Sequence, residues 1–229
     1  FDFPDDNGNP YKSSGGKMIN TNGYVIPDGW KILKVKDVIS NICTGLNPRN
    51  NFKLGSGNIK YITVKNLTTK GTLDFTGCDT IDESAHAIIH NRSDIKIGDI
   101  LFASIAPLGR CYLIQSEPTD WDINESVFSI RPNYSVMTSA YLYLYFMSDS
   151  FIKYATSSST GSIFKGIRIN TLLDTVLCVP PMSVIKQFED RLTSTLPLKA
   201  KNDEEIRSLT NLRDWLLPML MNSQTAIED

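Results

Sequence analysis

The sequence predicts an α+β fold: a globular body with a curved, partly closed β-sheet and a few helices, then a long C-terminal helix of coiled-coil type. Three observations predict it. Short apolar runs rich in β-branched residues recur from Tyr24 to about Pro181, bounded by Gly, Pro and Asn turns. A capped helical pattern interrupts them near 138–155. From Met182 onward the pattern becomes an apolar stripe at three- and four-residue spacing.

Residues 1–23, "FDFPDDNGNPYKSSGGKMINTNG", read as an irregular leading segment, rich in turn formers and without periodicity. The aromatics Phe1, Phe3 and Tyr11 are expected to pin it to the body. The body, 24–181, reads mostly as strands whose sequence neighbours pair. "WKILKVKDVISNI" is read as a strand through Ile32, Val35 and Val38, followed by the polar loop "TGLNPRNN". "IKYITVKNL" is a strand through Ile59, Tyr61, Val64 and Leu67. "SDIKIGDILFASI" turns at Ile97-Gly98-Asp99 before a buried strand, and "GRCYLIQS" and "NESVFSIRP" supply two more. "TSAYLYLYFMSDSFIKYA" begins with a Thr or Ser cap and reads as helix. "TLLDTVLCVPP" closes the body as a strand ended by two prolines.

The segment 182–221 reads as a long helix, with 222–229 as a tail. Its stripe runs 185, 188, 192, 195, 199, 202, 206, 209, with polar Thr195, Lys199 and Asn202 in the middle and apolar ends. Pro197 is expected to kink or interrupt it. At about 1.5 Å per residue such a helix is a rod of roughly 50 Å, too long to bury on a body of this size. Its stripe therefore asks for another helix. "LRDWLLPMLMN" at 212–222 poses that question most sharply.

Composition narrows the function classes. The chain has 229 residues, 41% hydrophobic and 10% aromatic, enough for a core. No apolar run approaches the ~18 residues of a membrane span. The opening lacks the basic start and apolar middle of a signal peptide, and the expected compartment is the cytoplasm. Four cysteines at 43, 78, 111 and 178, never as CxxC, read as buried free thiols. Asn66-Leu67-Thr68 and Asn124-Glu125-Ser126 match the glycosylation triplet and are read as chance. The net charge of −2 argues against unspecific nucleic-acid binding. The distribution is more informative, because 150–173 carries Lys153, Lys165 and Arg168 and no carboxylate.

Catalytic motifs in the sequence are incomplete. His86 and His90 form HxxxH, which puts both imidazoles on one helical face where zinc can bind. The metalloprotease form is missing and no third ligand is evident, so the pair reads as ordinary histidines and no metal site is expected. The carboxylates Asp94, Asp99, Asp120, Asp122 and Glu125 lack the E-x-K pattern of a magnesium nuclease. The chain has no phosphate-binding loop, no dinucleotide fingerprint, no base-methylating motif and no G-x-S-x-G elbow around "SSSTG". No catalytic residue is assigned.

The loop "SSSTGSIFKGIR" at 157–168 is either a polar surface loop or a phosphate-positioning one. In the second case Ser159, Thr160 and Ser162 supply donors, and Lys165 and Arg168 supply charge. "TGLNPRNN" is a polar turn by default. Asn47, Arg49 and Asn50 suit base-edge contacts only if they are correctly placed. Lys65 on "IKYITVKNL" and Arg110 opening "GRCYLIQS" complete the candidate DNA-binding set.

Five stretches together resemble a specificity (S) subunit of type I restriction–modification systems. They are "FDFPDDNGNPYKSSGGKMI", "IPDGWKILKVKDV", "IKIGDILFAS", "TGSIFKGIRINTLLDTVLCVPP" and the closing helix ending "LRDWLLPML". The run Pro181 to Phe188 resembles the start of that family's conserved helix, and Leu209–Leu220 resembles its end. The resemblance covers essentially the whole chain in order. Such subunits carry two recognition domains and two helices, so this chain resembles the C-terminal half: the second target recognition domain plus the distal helix. A naturally encoded half-subunit and a cut piece are both open readings, and the start at Phe1 without Met favours the second.

The resemblance implies sequence-specific, non-catalytic recognition of double-stranded DNA. The body would read one half of a bipartite site in the major groove. The helix would set half-site spacing and dock methyltransferase subunits, and through them restriction subunits. S-adenosylmethionine, Mg and ATP would belong to those partners, with no cofactor on this chain. Phe188, Leu192, Ile206, Leu209, Leu212, Trp215, Leu216 and Leu220 would then face the other conserved helix, a methyltransferase subunit or a second copy. Within 24–181, 15 Lys/Arg face 14 Asp/Glu, so a DNA surface requires segregation of charge. A metal-dependent DNA-processing enzyme and a pure assembly protein are the alternatives.

Overall fold

The computed structural model describes residues 1–5, 7–159, 166–192 and 195–221. These residues divide into a body, Phe1–Glu189, and a helical unit that begins at Asp190.

The leading segment is tied down by rings. Phe1 and Phe3 both pack on Trp30, and Phe3 stacks on Tyr11 at 4.8 Å between centroids. Its end is not irregular. β1 (Met18–Thr21) and β2 (Tyr24–Pro27) form an antiparallel hairpin across the expected boundary at 23/24. Asn22 and Gly23 both take positive φ at the turn, as a tight two-residue hairpin requires.

"WKILKVKDVISNI" is not one strand. It forms β3 (Lys31–Lys34), a single helical turn α1 (Val35–Val38) and β4 (Ile39–Thr44). The three-residue spacing of Ile32, Val35 and Val38 is helical in period, and the turn buries Val35 and Val38 completely. Asp37 caps the turn by accepting the Lys34 backbone N–H at 2.9 Å.

The remaining strands are β5 (Ile59–Ile62), β6 (Asp79–Ile81), β7 (Ile100–Ala103), β8 (Cys111–Leu113), β9 (Trp121–Ile123), β10 (Val127–Pro132) and β11 (Val176–Val179). Among the described residues the strands make four small sheets, β1-β2, β4-β10-β7-β8, β11-β3 and β6-β5-β9, and none of these closes. The expectation of a partly closed sheet of sequence neighbours is therefore corrected. β4 pairs with β10 and β3 with β11 across most of the body. β5 and β9 run parallel, which demands a long crossover. That crossover contains α2 (Glu83–Ser93), packed against β9.

The predicted helix at 138–155 is two helices, α3 (Ser139–Met147) and α4 (Asp149–Ser157). Ser148 stands extended between them, and its hydroxyl accepts the Phe151 N–H at 3.3 Å, restarting the helix. The break turns Phe146 and Phe151 onto each other and onto Phe102 of β7. α5 (Ile169–Leu173) precedes β11, so only the second half of "TLLDTVLCVPP" is strand.

The core lies between the sheets. Ile62, Leu67, Ile95, Leu101, Ile114 and Ile123 form one cluster, and Tyr61, Ile81, Ala85 and Ile89 seat α2 on β5 and β6 in another. All four cysteines are free, as expected; Cys111 is buried and the rest half-buried. Burial raises the thiols of Cys43 and Cys178 to about 11.

The region 182–221 holds α6 (Met182–Leu192) and α7 (Thr195–Met221). Pro197 falls in the first turn of α7, where a missing N–H costs nothing, and Pro218 lies near its end. No helix among the described residues is long and apolar enough to cross a membrane.

Candidate functional site

Strand direction gathers a set of loops at one end of the body. β4, β5, β7 and β9 end there, and β8 and β10 begin there, as the registers Thr44–Phe128, Ile62–Ile123, Ala103–Val127 and Phe102–Cys111 require. Backbone hydrogen bonds join these loops. Gly45 N–H donates to the Asn124 carbonyl and Asn124 N–H to the Ile62 carbonyl, at 3.2 and 2.8 Å. Ser104 N–H donates to the Ser126 carbonyl at 3.0 Å, and Ile167 N–H to the Ser104 carbonyl at 2.8 Å. Gly166 also bridges Ile105.

This arrangement brings several of the sequence-predicted residues to one place. Asn47, Arg49 and Asn50 lie on the loop after β4, Arg49 and Asn50 exposed and Asn47 half-buried. The Asn51 amide donates to the Asn47 carbonyl at 2.9 Å and closes that loop. Lys65 is exposed after β5. Arg110, opening β8, donates through Nη1 to the Val64 carbonyl at 3.3 Å, next to Lys65. Part of the Arg110 guanidinium therefore orients backbone. Its buried Nε has no hydrogen-bond partner among the described residues. Arg168 is exposed two residues beyond the Gly166 bridge. Ser159 is committed locally, its hydroxyl donating to the Thr156 carbonyl at 2.7 Å. Thr160, Ser162 and Lys165 lie outside the described residues.

Two contributors to this end were missed in the sequence. Arg92 at the last turn of α2 donates to the Thr44 hydroxyl at 3.2 Å, adding a cation beside the loop after β4. Asn124 accepts the Ser126 N–H on its side chain at 3.0 Å while its backbone holds Gly45. An Asn two residues before Ser is the signature of an Asx turn, and that signal was available. Asn66 of the other triplet accepts the Thr63 N–H and hydroxyl, both at 2.9 Å. Both triplets do structural work.

The carboxylates are largely occupied. Arg131 of β10 pairs with Asp99 at 2.8 Å and Asp94 at 3.0 Å, and Lys96 pairs with Asp94 at 3.0 Å. The Lys96 and Arg131 contacts hold the Asp94 carboxyl below its usual range.

Asp122 is different. It sits on β9 beneath α2, with its side chain 0% exposed. Oδ1 accepts the Ser93 hydroxyl at 2.7 Å and the Ile123 N–H at 2.8 Å. Oδ2 faces His90 Nδ1 at 3.3 Å and His86 Nε2 at 3.6 Å. Burial pushes this carboxyl up, while the bonds from Ser93 and Ile123 oppose the shift. The third partner for the HxxxH pair therefore exists, on a strand 32 residues beyond His90.

Among the proposed partner-contacting residues, Phe188 is already engaged. It meets Tyr141 of α3 edge-to-face at 5.8 Å and is still exposed. Leu192 and Leu216 are half-buried. Ile206, Leu209, Leu212, Trp215 and Leu220 are exposed.

Loops gathered on a rigid strand scaffold, followed by a helix with exposed apolar residues, are the architecture of a recognition module. Residues 27–207 match the type I restriction modification DNA specificity domain, and the chain belongs to that family. The type I restriction enzyme HindI specificity subunit of Haemophilus influenzae is 22% identical over 200 residues, 87% of this chain and 42% of that subunit. The crystal structure of a type I restriction–modification S subunit from M. genitalium shares the fold, with a TM-score of 0.55 at 12% identity over 82% of this chain and 43% of that one. The HsdS subunit of Thermoanaerobacter tengcongensis matches over 88% of this chain and 47% of that one, at 16% identity and a TM-score of 0.48. The chain thus spans less than half the length of the relatives it matches.

Proposed function

We propose that this chain is a non-catalytic reader of double-stranded DNA within a type I restriction–modification complex. Its body reads one half of a bipartite site in the major groove, through the end where β4, β5, β7 and β9 terminate. The observation that carries this reading is the family match over residues 27–207. The shared loop end supports the surface assignment, because Arg49, Lys65, Arg92 and Arg168 all project from it or beside it. Cationic side chains there neutralise phosphates and fix the register, while Asn47 and Asn50 offer paired donors and acceptors to base edges.

The helical unit spaces the half-sites and docks methyltransferase subunits, which bring S-adenosylmethionine and extrude the adenine. Restriction subunits, with Mg and ATP, join through them. Exposed Leu209, Leu212 and Trp215 support this docking role. The cytoplasm is the compartment such an assembly needs.

The test uses the chain assembled with its methyltransferase subunits. Exchanging the body for that of a related subunit should change the methylated sequence. An unchanged sequence overturns the reading. Lys65→Ala should lower the slope of log K against log salt by about 0.9 while leaving sequence preference intact, and Arg49→Ala should lower it by a similar amount. An unaltered slope in both would move the interface elsewhere.

A further inference from the structure

His86, His90 and Asp122 bring together three groups of the kind that ligate transition metals. Three ligand atoms, His86 Nε2, His90 Nδ1 and one Asp122 carboxylate oxygen, lie within 4.8 Å of one another. Tetrahedral zinc with bonds of about 2.0–2.1 Å separates its ligands by roughly 3.3 Å. The two edges through Asp122 already measure 3.3 and 3.6 Å. The third edge, between the two imidazole nitrogens, lies within 4.8 Å, so the rings draw together to complete the triangle.

The donors are also prepared. Asp122 Oδ1 is held by the Ser93 hydroxyl and the Ile123 N–H, which aims Oδ2 alone at the imidazoles. A ligand oriented by hydrogen bonds to its other atom is the usual support around a metal. His86 Nε2 is buried without a hydrogen-bond partner among the described residues, an orphaned nitrogen directed at the same point. A cation satisfies that nitrogen and neutralises the buried carboxylate at once. The site is reachable, because the His90 side chain is 43% exposed while that of His86 is 17% exposed.

We propose that His86, His90 and Asp122 bind a divalent first-row transition cation, with zinc the natural occupant. Two imidazoles and one carboxylate suit zinc and disfavour magnesium or calcium, which seek oxygen. Water fills the fourth position on the His90 side. The ion fastens α2 to β9 just ahead of Asn124, the residue that seats the loop after β4. It is a structural clasp beneath the candidate interface, and it stands whether or not that interface reads DNA.

The experiment is titration of the full chain with Zn²⁺ against a chromophoric chelator, with Co²⁺ as the spectroscopic probe. One equivalent should bind saturably. Bound Co²⁺ should show the intense d–d bands of four-coordinate geometry, without thiolate charge transfer. His86→Gln and His90→Gln should each abolish saturable binding with the far-UV circular dichroism unchanged. Ser93→Ala should weaken binding by roughly 10- to 100-fold. The more exposed His90→Gln keeps the test valid should the His86 variant fail to fold. Absence of saturable binding to the parent chain overturns the proposal. So does one equivalent retained in the double histidine variant, or a thiolate-to-cobalt band that assigns the ion to a cysteine.

Discussion

The Arg131 guanidinium meets the Asp99 carboxylate side-on, with Nε to Oδ1 and Nη2 to Oδ2 both at 2.8 Å. Asp99 is 1% exposed and Arg131 21% exposed, so the pair is shielded from solvent screening. Asp99 Oδ2 also accepts the Lys96 N–H at 3.0 Å and the Ser129 hydroxyl at 3.3 Å. The pair therefore locks the turn before β7 onto β10. Arg131→Ala strands a buried carboxylate and should cost about 3–5 kcal/mol in urea unfolding. Arg131→Lys should recover only part, since an ammonium cannot span both oxygens. A loss below about 1 kcal/mol for the alanine variant would show that the pair contributes little.

Asp94 extends the same network and gives stability a pH dependence. Its hydrogen bonds from Lys96 and Arg131 depress its folded pKa below the ordinary 3.8. A depressed carboxyl contributes stability that is fully present above its unfolded value and is lost as pH falls through the folded value. Asp94→Asn should therefore flatten the acid limb of the stability curve below pH 3.8, with little change in its shape near neutrality. Unfolding free energies measured across that limb check the slope. An unchanged limb would remove Asp94 from the network's energetics.

Gly45 is needed for space. A Cβ built there falls inside contact distance of the Ile123 carbonyl, and backbone cannot rotate away as a side chain can. The same residue donates its N–H to Asn124, so the loop carrying Asn47, Arg49 and Asn50 starts from this contact. Gly45→Ala should destabilise by at least the ~1–3 kcal/mol typical of overpacking, read from the urea midpoint. A neutral substitution would mean that β9 yields, and that the loop is not rigidly seated.

The sequence made some of this legible and hid the rest for physical reasons. The buried run at 100–103 and the turn Ile97-Gly98-Asp99 were readable because their signals are local. Phe1, Phe3 and Tyr11 are expected to pin the leading segment; Trp30 receives Phe1 and Phe3, and Tyr11 stacks on Phe3. Helical spacing correctly placed His86 and His90 on one face, but Asp122 reaches them only through the parallel pairing of β5 with β9. No local pattern encodes that register. The pairing of β3 with β11, which joins the two ends of the body, was hidden for the same reason. The loop end is partly legible, because Asn47, Arg49, Asn50 and Arg168 lie in stretches that read as polar loops, whereas Lys65 and Arg110 belong to stretches that read as strands. That they share one end is a property of strand order.

The apolar residues of α7 offer a contact surface. Leu209, Leu212, Trp215 and Leu217 are exposed on a helix whose charged residues include Lys199, Lys201, Glu204 and Glu205. Exposed large apolar side chains gathered on one helix mark a contact surface. Trp is the side chain most often found to anchor such contacts, and its truncation typically costs 2 kcal/mol or more, roughly a 30-fold loss of affinity. On the docking role proposed for the helical unit, Trp215→Ala should weaken assembly with methyltransferase subunits by about that factor in analytical ultracentrifugation. The circular dichroism should stay unchanged, because position 215 is exposed within its own helix. Leu212→Ala should weaken it less, having less area to withdraw from water. If both variants assemble as the parent does, the contact lies elsewhere on the chain and these side chains do not anchor the helix to a partner.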